Sequence, residues 1–339
     1  MPPRSVQSLN DPTQLAAQIC TENRRALAQA ITLIESERPD HRQKANDLID
    51  ILLKPEAARA GNPSNSMRIG ITGPPGAGKS SFIEKFGLYA LAQGHKLGVV
   101  AIDPSLWGSG GSILGDKTRM ELLSREANAF IRPSPTRGNL GGVTRHTSEM
   151  IVLMEAAGFD CIIIETVGVG QSEMAVADVS DCLVLILPPA AGDELQGIKG
   201  GILERADAIL INKADGDLLA AAETTLSDYQ AAMRLLMARN RHRRCEIMTV
   251  SALTGKNLAK TYEFIIEFNR QATQSGTKSA RRAAQAGAIF DQELNAIWRE
   301  AVLRDPARVA LYHQARANVE NGLSTPAQAA QLLIEQLLA

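Results

Sequence analysis

Apolar positions at helical spacing run through the first part of the chain: Leu15, Ile19, Leu27, Ile31 and Ile34, then Ala45, Leu48, Ile49 and Leu52. They predict two helices over residues of about 11 to 58, closed by the turn-forming run Gly61-Asn62-Pro63-Ser64. From Met67 to about Leu253 the pattern changes. Short apolar runs alternate with helical ones: Arg68–Thr72, Leu97–Ile102, Ala129–Ile131, Cys161–Ile164, Cys182–Leu187, Ala208–Ile211 and Glu246–Val250. Such alternation predicts an α/β fold with a doubly wound, mostly parallel sheet. Beyond Asn257 the spacing is helical to the end, through Tyr262, Ile265 and Phe268, Ile289, Leu294, Ile297 and Trp298, then Val309, Val319, Leu332, Ile334 and Leu337. Three or four helices are expected there. The organisation read from these patterns is an N-terminal helical extension over residues 1–62, an α/β domain over 63–272 and a C-terminal helical arm over 273–339. The arm must bury its apolar faces, either on its own sheet or on a second subunit.

Composition narrows the partners. The 36 basic and 37 acidic side chains among 339 residues leave a formal charge of -1, so no global field draws the chain to nucleic acid or an acidic membrane. The basic run Arg239-Asn240-Arg241-His242-Arg243-Arg244 has no aromatic interleaving and reads as a solvated loop. Cys20, Cys161, Cys182 and Cys245 form no C-x-x-C pair, and two fall in apolar strand-like runs, which fits a reducing compartment. Met1 to Asn10 lacks the apolar centre of a secretory signal, and no stretch reaches the roughly 18 apolar residues of a membrane span. A cytoplasmic protein is expected.

The chemistry begins at Gly73-Pro74-Pro75-Gly76-Ala77-Gly78-Lys79-Ser80, which matches G-x-x-x-x-G-K-[ST], follows a predicted strand and precedes a helical run near Ser81. Glycines let the backbone wrap a β-phosphate with its N–H groups turned inward, and the helix N-terminus adds partial positive charge. Lys79 is suited to bridging β- and γ-oxygens, and Ser80 to giving a hydroxyl to Mg²⁺. Downstream, the run Ala208–Ile211 leads into Asn212-Lys213-Ala214-Asp215, an N-K-x-D where parallel sheets bind ligands. The Asp215 carboxylate can accept from guanine N1–H and its 2-amino group, whereas adenine would leave it desolvated and unpaired, a penalty of roughly 1 to 3 kcal/mol. Ser251-Ala252-Leu253, after the next strand, has the form of a second guanine contact. The pattern therefore selects GTP.

Acids for a metal and an attacking water stand at strand ends. Asp103 closes Ala101-Ile102-Asp103, and Glu165 closes Cys161–Glu165 ahead of Thr166-Val167-Gly168. Glu165 and Gly168 occupy the ends of a D-x-x-G pattern whose acid is one methylene longer. Between these strands lies the glycine-rich stretch 108–112, followed by Gly115-Asp116-Lys117-Thr118-Arg119, where Asp116 is a further candidate metal ligand.

Longer strings carry a more specific signal: Gly110–Met120, Phe130–Pro135, Leu140-Gly141-Gly142-Val143, Glu165–Glu173 and Gly192–Lys199. Together they resemble the MeaB/ArgK family of P-loop GTPases, over nearly the whole chain. The resemblance implies a GTPase that associates with an adenosylcobalamin-dependent acyl-CoA mutase, gating cofactor delivery and protecting the mutase, and a homodimer formed through the C-terminal helices. It implies that Lys79 and Ser80 bind phosphate and Mg²⁺, that Asp103, Asp116 and Glu165 are metal-site and catalytic acids, and that Asp193 and Lys199 lie in a third, partner-responsive switch. A lysine swung towards the nucleotide would supply the positive charge that a slow GTPase lacks. Trp107 departs from the small polar residues that the family usually carries in its first switch, which here spans the glycine-rich stretch after Asp103, and the Ala-rich stretch 280–285 keeps its basic pair, Arg281 and Arg282, but differs from relatives at the expected dimer contact. Two other readings of the same fold group are a nucleotide-dependent kinase and a metal-delivery GTPase. The second calls for clustered His or Cys ligands, whereas His41, His95, His146, His242 and His313 are scattered in sequence.

Overall fold

The computed structural model describes residues 11–36, 38–54, 65–103, 120–135, 140–166, 172–189, 200–238, 245–302 and 304–338. It divides into two compact units, Met1–Gln285 and Ala286–Ala339. The chain opens with α1 (Pro12–Cys20), α2 (Arg24–Ile34) and α3 (Pro39–Leu53). β1 (Met67–Thr72), α4 (Lys79–Ala92), β2 (Leu97–Asp103), α5 (Glu121–Ser124), β3 (Ala129–Pro135), α6 (Leu140–Ala156) and β4 (Cys161–Thr166) follow. Then come α7 (Ser172–Ala177), β5 (Cys182–Leu187), α8 (Gly200–Arg205), β6 (Ala208–Ile211), a 3₁₀ turn (Gly216–Leu218), α9 (Leu219–Ala238) and β7 (Glu246–Thr249). The chain ends in α10 (Leu258–Gln274), α11 (Thr277–Val302), α12 (Pro306–Glu320) and α13 (Pro326–Leu338).

Among the described residues seven strands form one sheet in the order β3-β2-β4-β1-β5-β6-β7, and every neighbouring pair is parallel. Strands buried on both faces read as near-continuous apolar runs: β4 and β5 have all six residues buried, and the polar ones among them are Glu165 and Thr166 at the end of β4. Alternation along β5 divides the core. Val184 and Ile186 join Ile69 and Ile71 of β1, Ile163 of β4, Phe82 and Phe86 of α4 and Ile265 of α10 on one face. Leu185 and Leu187 join Ile209, Ile211 and Tyr229 of α9 on the other.

The N-terminal region differs from the expected two helices. Glu22 takes a left-handed φ of 62°, and the Asn23 side chain accepts from the N–H groups of Arg25 and Ala26. That cap restarts the helix and splits one predicted element into two. The turn expected at 61–64 lies outside the described residues.

The first turns of α11 are tied to the sheet by charge. The Arg282 guanidinium donates through Nε to Asp181 at 2.8 Å and lies 3.5 Å from Glu155, which Arg68 holds at 2.9 and 3.0 Å. Arg281 pairs with Asp207 at 3.0 Å, and Lys278 donates to the Ser66 carbonyl at 2.6 Å. The basic pair flagged in the sequence thus faces acids of its own chain. Burial pushes the Lys278 ammonium down to about 8. Among the described residues no helix is long and apolar enough to cross a membrane.

Candidate nucleotide site

β1 delivers the phosphate loop to the carboxyl edge of the sheet. At Gly73, φ is 144°, and a Cβ there would lie 2.0 Å from the carbonyl oxygen of Ile186 on β5, so only glycine allows the chain past its neighbour. Gly76 and Gly78 turn the loop with φ of 77° and 83°. A Cβ on Gly78 would meet Asn212 Nδ2 at 2.6 Å, while one on Gly76 would meet nothing within 4 Å. Pro75 and Gly76 are exposed, Pro74 is half-buried, and Ala77 is fully buried beneath them. Lys79, 7% exposed at the start of α4, folds back so that Nζ donates to the carbonyls of Gly73 at 2.7 Å and Pro74 at 3.1 Å. Ser80, next in that turn, is half-buried, and Ser81 is exposed.

The N-K-x-D segment lies against this loop. Asn212, 1% exposed, donates through Nδ2 to the carbonyl of Ala77 at 2.8 Å and towards that of Gly78 at 3.4 Å. Its Oδ1 accepts from the Ala252 N–H at 3.1 Å. One buried amide therefore joins the phosphate loop to the Ser251-Ala252-Leu253 turn. Lys213 is exposed with a left-handed φ of 59°. The Asp215 carboxylate accepts from the hydroxyl of buried Ser251, which in turn accepts from the Thr254 N–H at 3.0 Å. Leu253 is 80% exposed beside them.

Of the acids, Glu165 is 2% exposed and stands opposite Ile71 of β1 and Ala101 of β2. It is two positions beyond Ile163, which packs with Phe82 and Phe86, so alternation puts Glu165 on the α4 side of the sheet. Asp103 is the last residue of β2, in register with Pro135 of β3. Asp116, Gly168, Asp193, Lys199 and Trp107 lie outside the described residues. Among the described residues no three His, Cys, Asp or Glu side chains are grouped to hold a metal ion by themselves. The pattern reading overlooked Thr72 and Thr166, which close β1 and β4 and bring their buried hydroxyl oxygens to 3.2 Å. A threonine ending each of two apolar strands was the available signal.

An all-parallel sheet whose phosphate loop is braced by the asparagine of an N-K-x-D segment makes this chain a P-loop GTPase. The family model described as Methylmalonyl Co-A mutase-associated GTPase MeaB matches residues 27–305. The chain belongs to the MeaB family. It is 51% identical over 266 residues to the mouse protein named methylmalonic aciduria type A homolog, mitochondrial, covering 77% of this chain and 64% of that longer one. A probable GTPase of Mycobacterium tuberculosis is 45% identical across 95% of this chain and 94% of its own. The Escherichia coli GTPase ArgK is 43% identical over 78% of this chain and 77% of its own. Among solved structures, that of a LAO/AO transport system kinase superposes with a TM-score of 0.76 at 31% identity, covering 97% of this chain and 98% of that one.

Proposed function

We propose that this GTPase is a chaperone of an adenosylcobalamin-dependent acyl-CoA mutase, methylmalonyl-CoA mutase or a close relative, and that GTP binding and hydrolysis gate cofactor loading and protect the mutase from inactivation. The observation that carries the nucleotide half is the Asn212 bridge, which holds the phosphate loop and the Asp215–Ser251 pair at one sheet edge, as the two ends of one guanosine triphosphate require. Support for the mutase half is the family's description and the resemblance of the 110–120, 165–173 and 192–199 stretches.

In this reading the amides of 76–80 face the β-phosphate, and Lys79 exchanges two neutral carbonyls for phosphate oxygens, a charge-assisted and stronger bond. Asp215, oriented by Ser251, reads the guanine edge, with Lys213, Ala252 and Leu253 around the base. Ser80, Asp103, Asp116 and Glu165 would hold Mg²⁺. Hydroxyl and carboxylate oxygens are the hard donors that ion prefers, and Ser80 lies in the first turn of α4, which packs on the sheet face that Glu165 shares. When bound, Mg²⁺ neutralises charge that develops on the β- and γ-oxygens. Lys199 responds to the partner and adds positive charge in the transition state. A homodimer forms through the C-terminal helices, where Phe290, Leu294, Ile297 and Trp298 repeat at helical spacing and are exposed.

The test is phosphate release from GTP by the full chain, alone and with purified acyl-CoA mutases, together with calorimetry of GDP against ADP. A preference for GDP and faster hydrolysis with one mutase are expected. Absent hydrolysis under every condition overturns the proposal. The likeness to a protein titled a transport system kinase favours one second reading, a phosphotransferase. Label from the γ-position appearing on an acceptor, rather than as free phosphate, would support it.

A further inference from the structure

We infer that Thr72 and Thr166 are positioning residues for GTP hydrolysis, acting as one unit that fixes the phosphate loop relative to Glu165. The parallel ladder between β1 and β4 runs from Met67 and Cys161 to Ile71 and Glu165 and stops there. The next tie is the bond between the two threonine hydroxyls, Oγ1 to Oγ1 at 3.2 Å. Both side chains are fully buried. Gly73, whose close passage under Ile186 sets the course of the phosphate loop, is covalently next to Thr72; Glu165 is covalently next to Thr166.

Shape does not explain the hydroxyls. Valine has the same branched outline, suits a strand at least as well, and would match the apolar run Ile162 to Ile164 that precedes Thr166. A hydroxyl taken out of water is a cost unless it is bonded, and here one threonine hydroxyl donates to the other. What the pair adds over two valines is direction: a hydrogen bond between strand ends resists relative slip and twist where the backbone ladder has ended. Alternation puts both threonines on the sheet face opposite Ile71 and Glu165, so they act through the backbone and touch neither nucleotide nor metal. Thr166 is also in register with Ile102 of β2 and Thr72 with Leu185 of β5, so the tie lies at the centre of the four strands flanking the site.

This inference rests on the reading of Glu165 as the acid that serves the metal and the attacking water. Steady-state GTP hydrolysis and GDP affinity are measured for the full-length Thr72→Val, Thr166→Val, Thr72→Val/Thr166→Val, Thr166→Ser and Glu165→Gln variants. Each valine variant is expected to lose about tenfold in kcat, because small displacements of reacting groups are costly. The double variant should lose no more than either single, as coupled residues do, with GDP affinity within about threefold of the parent and Thr166→Ser restoring the rate. Three results overturn the inference: an unchanged kcat in the valine variants, losses that multiply in the double variant, or GDP affinity falling in step with kcat. Glu165→Gln separates the two levels. If it hydrolyses GTP normally, the reading of Glu165 fails and this inference with it; if it is slow while the valine variants are fast, only the hydroxyl pair is refuted.

Discussion

Replacing Asn212 by alanine removes both sides of the bridge between the phosphate loop and the 251–253 turn. The carbonyl of Ala77 loses its 2.8 Å donor and the N–H of Ala252 its 3.1 Å acceptor, and both residues are buried, so water does not readily take the vacated places. A buried backbone group left unpaired costs about 1 to 3 kcal/mol, which for two groups with partial relaxation gives about 2 to 4 kcal/mol. The longer contact to Gly78, at 3.4 Å, adds little. This loss belongs to the protein without nucleotide, and that separates a brace from a ligand contact. Asn212→Asp sharpens the test. Its carboxylate keeps an acceptor for Ala252 but sets a second oxygen against the carbonyls of Ala77 and Gly78, so it should be no more stable than alanine. Urea unfolding of the nucleotide-free variants measures this loss directly. Alanine and aspartate variants within about 0.5 kcal/mol of the parent, inside the range of an ordinary surface change, would show that the bridge carries no load and refute the reasoning.

Other consequences follow from individual contacts. Gly73→Ala drives a Cβ to 2.0 Å from a backbone oxygen and should abolish GDP-induced thermal stabilisation, whereas Gly76→Ala meets no atom within 4 Å and should cost only the left-handed strain, about 1 to 2 kcal/mol. Lys278 has a folded-state pKa of about 8 against 10.5 when exposed. The unfolded chain therefore binds more protons between those values, and the lysine's contribution to stability rises with pH across that window, by about 3 kcal/mol at most. Lys278→Met should flatten that slope in unfolding free energies taken at pH 7.5, 9 and 10, since Arg282 still donates to the Ser66 carbonyl at 3.0 Å. Burial pushes the thiols of Cys161 and Cys182 up, while Cys20 and Cys245 are partly exposed, so a disulfide reagent should label the latter pair in the native protein and the former only on unfolding.

How far such a site can be read in advance depends on the range of the interactions that make it. The phosphate loop is legible because its constraints are local: Gly73 must pass a neighbouring backbone, Gly78 must turn left-handed, and Lys79 must begin a helix within a few residues of both. The strands are legible because burial on both faces forces unbroken apolar runs. The Asn212 bridge is not, since nothing near residue 212 states that its amide reaches Ala77, 135 positions earlier. That pairing exists only once β5 and β6 have been added beside β1, an order that short motifs do not encode. The same limit hid the base of α11. Lys278, Arg281, Arg282 and Gln285 recur at helical spacing and mark one face of a helix, but a basic face fits a second subunit and an acidic sheet edge equally well. Asp181 and Asp207 decide between them, because each is placed by its own strand's entry into the sheet. Removing one partner from the buried Arg282–Asp181 pair costs about 3 to 5 kcal/mol, and the half-exposed Arg281 adds less, so the first turns of α11 belong energetically to the nucleotide-binding domain. Ser66, just ahead of β1, and Arg68 within it then hold these contacts at one end of the strand, and the phosphate loop leaves the other.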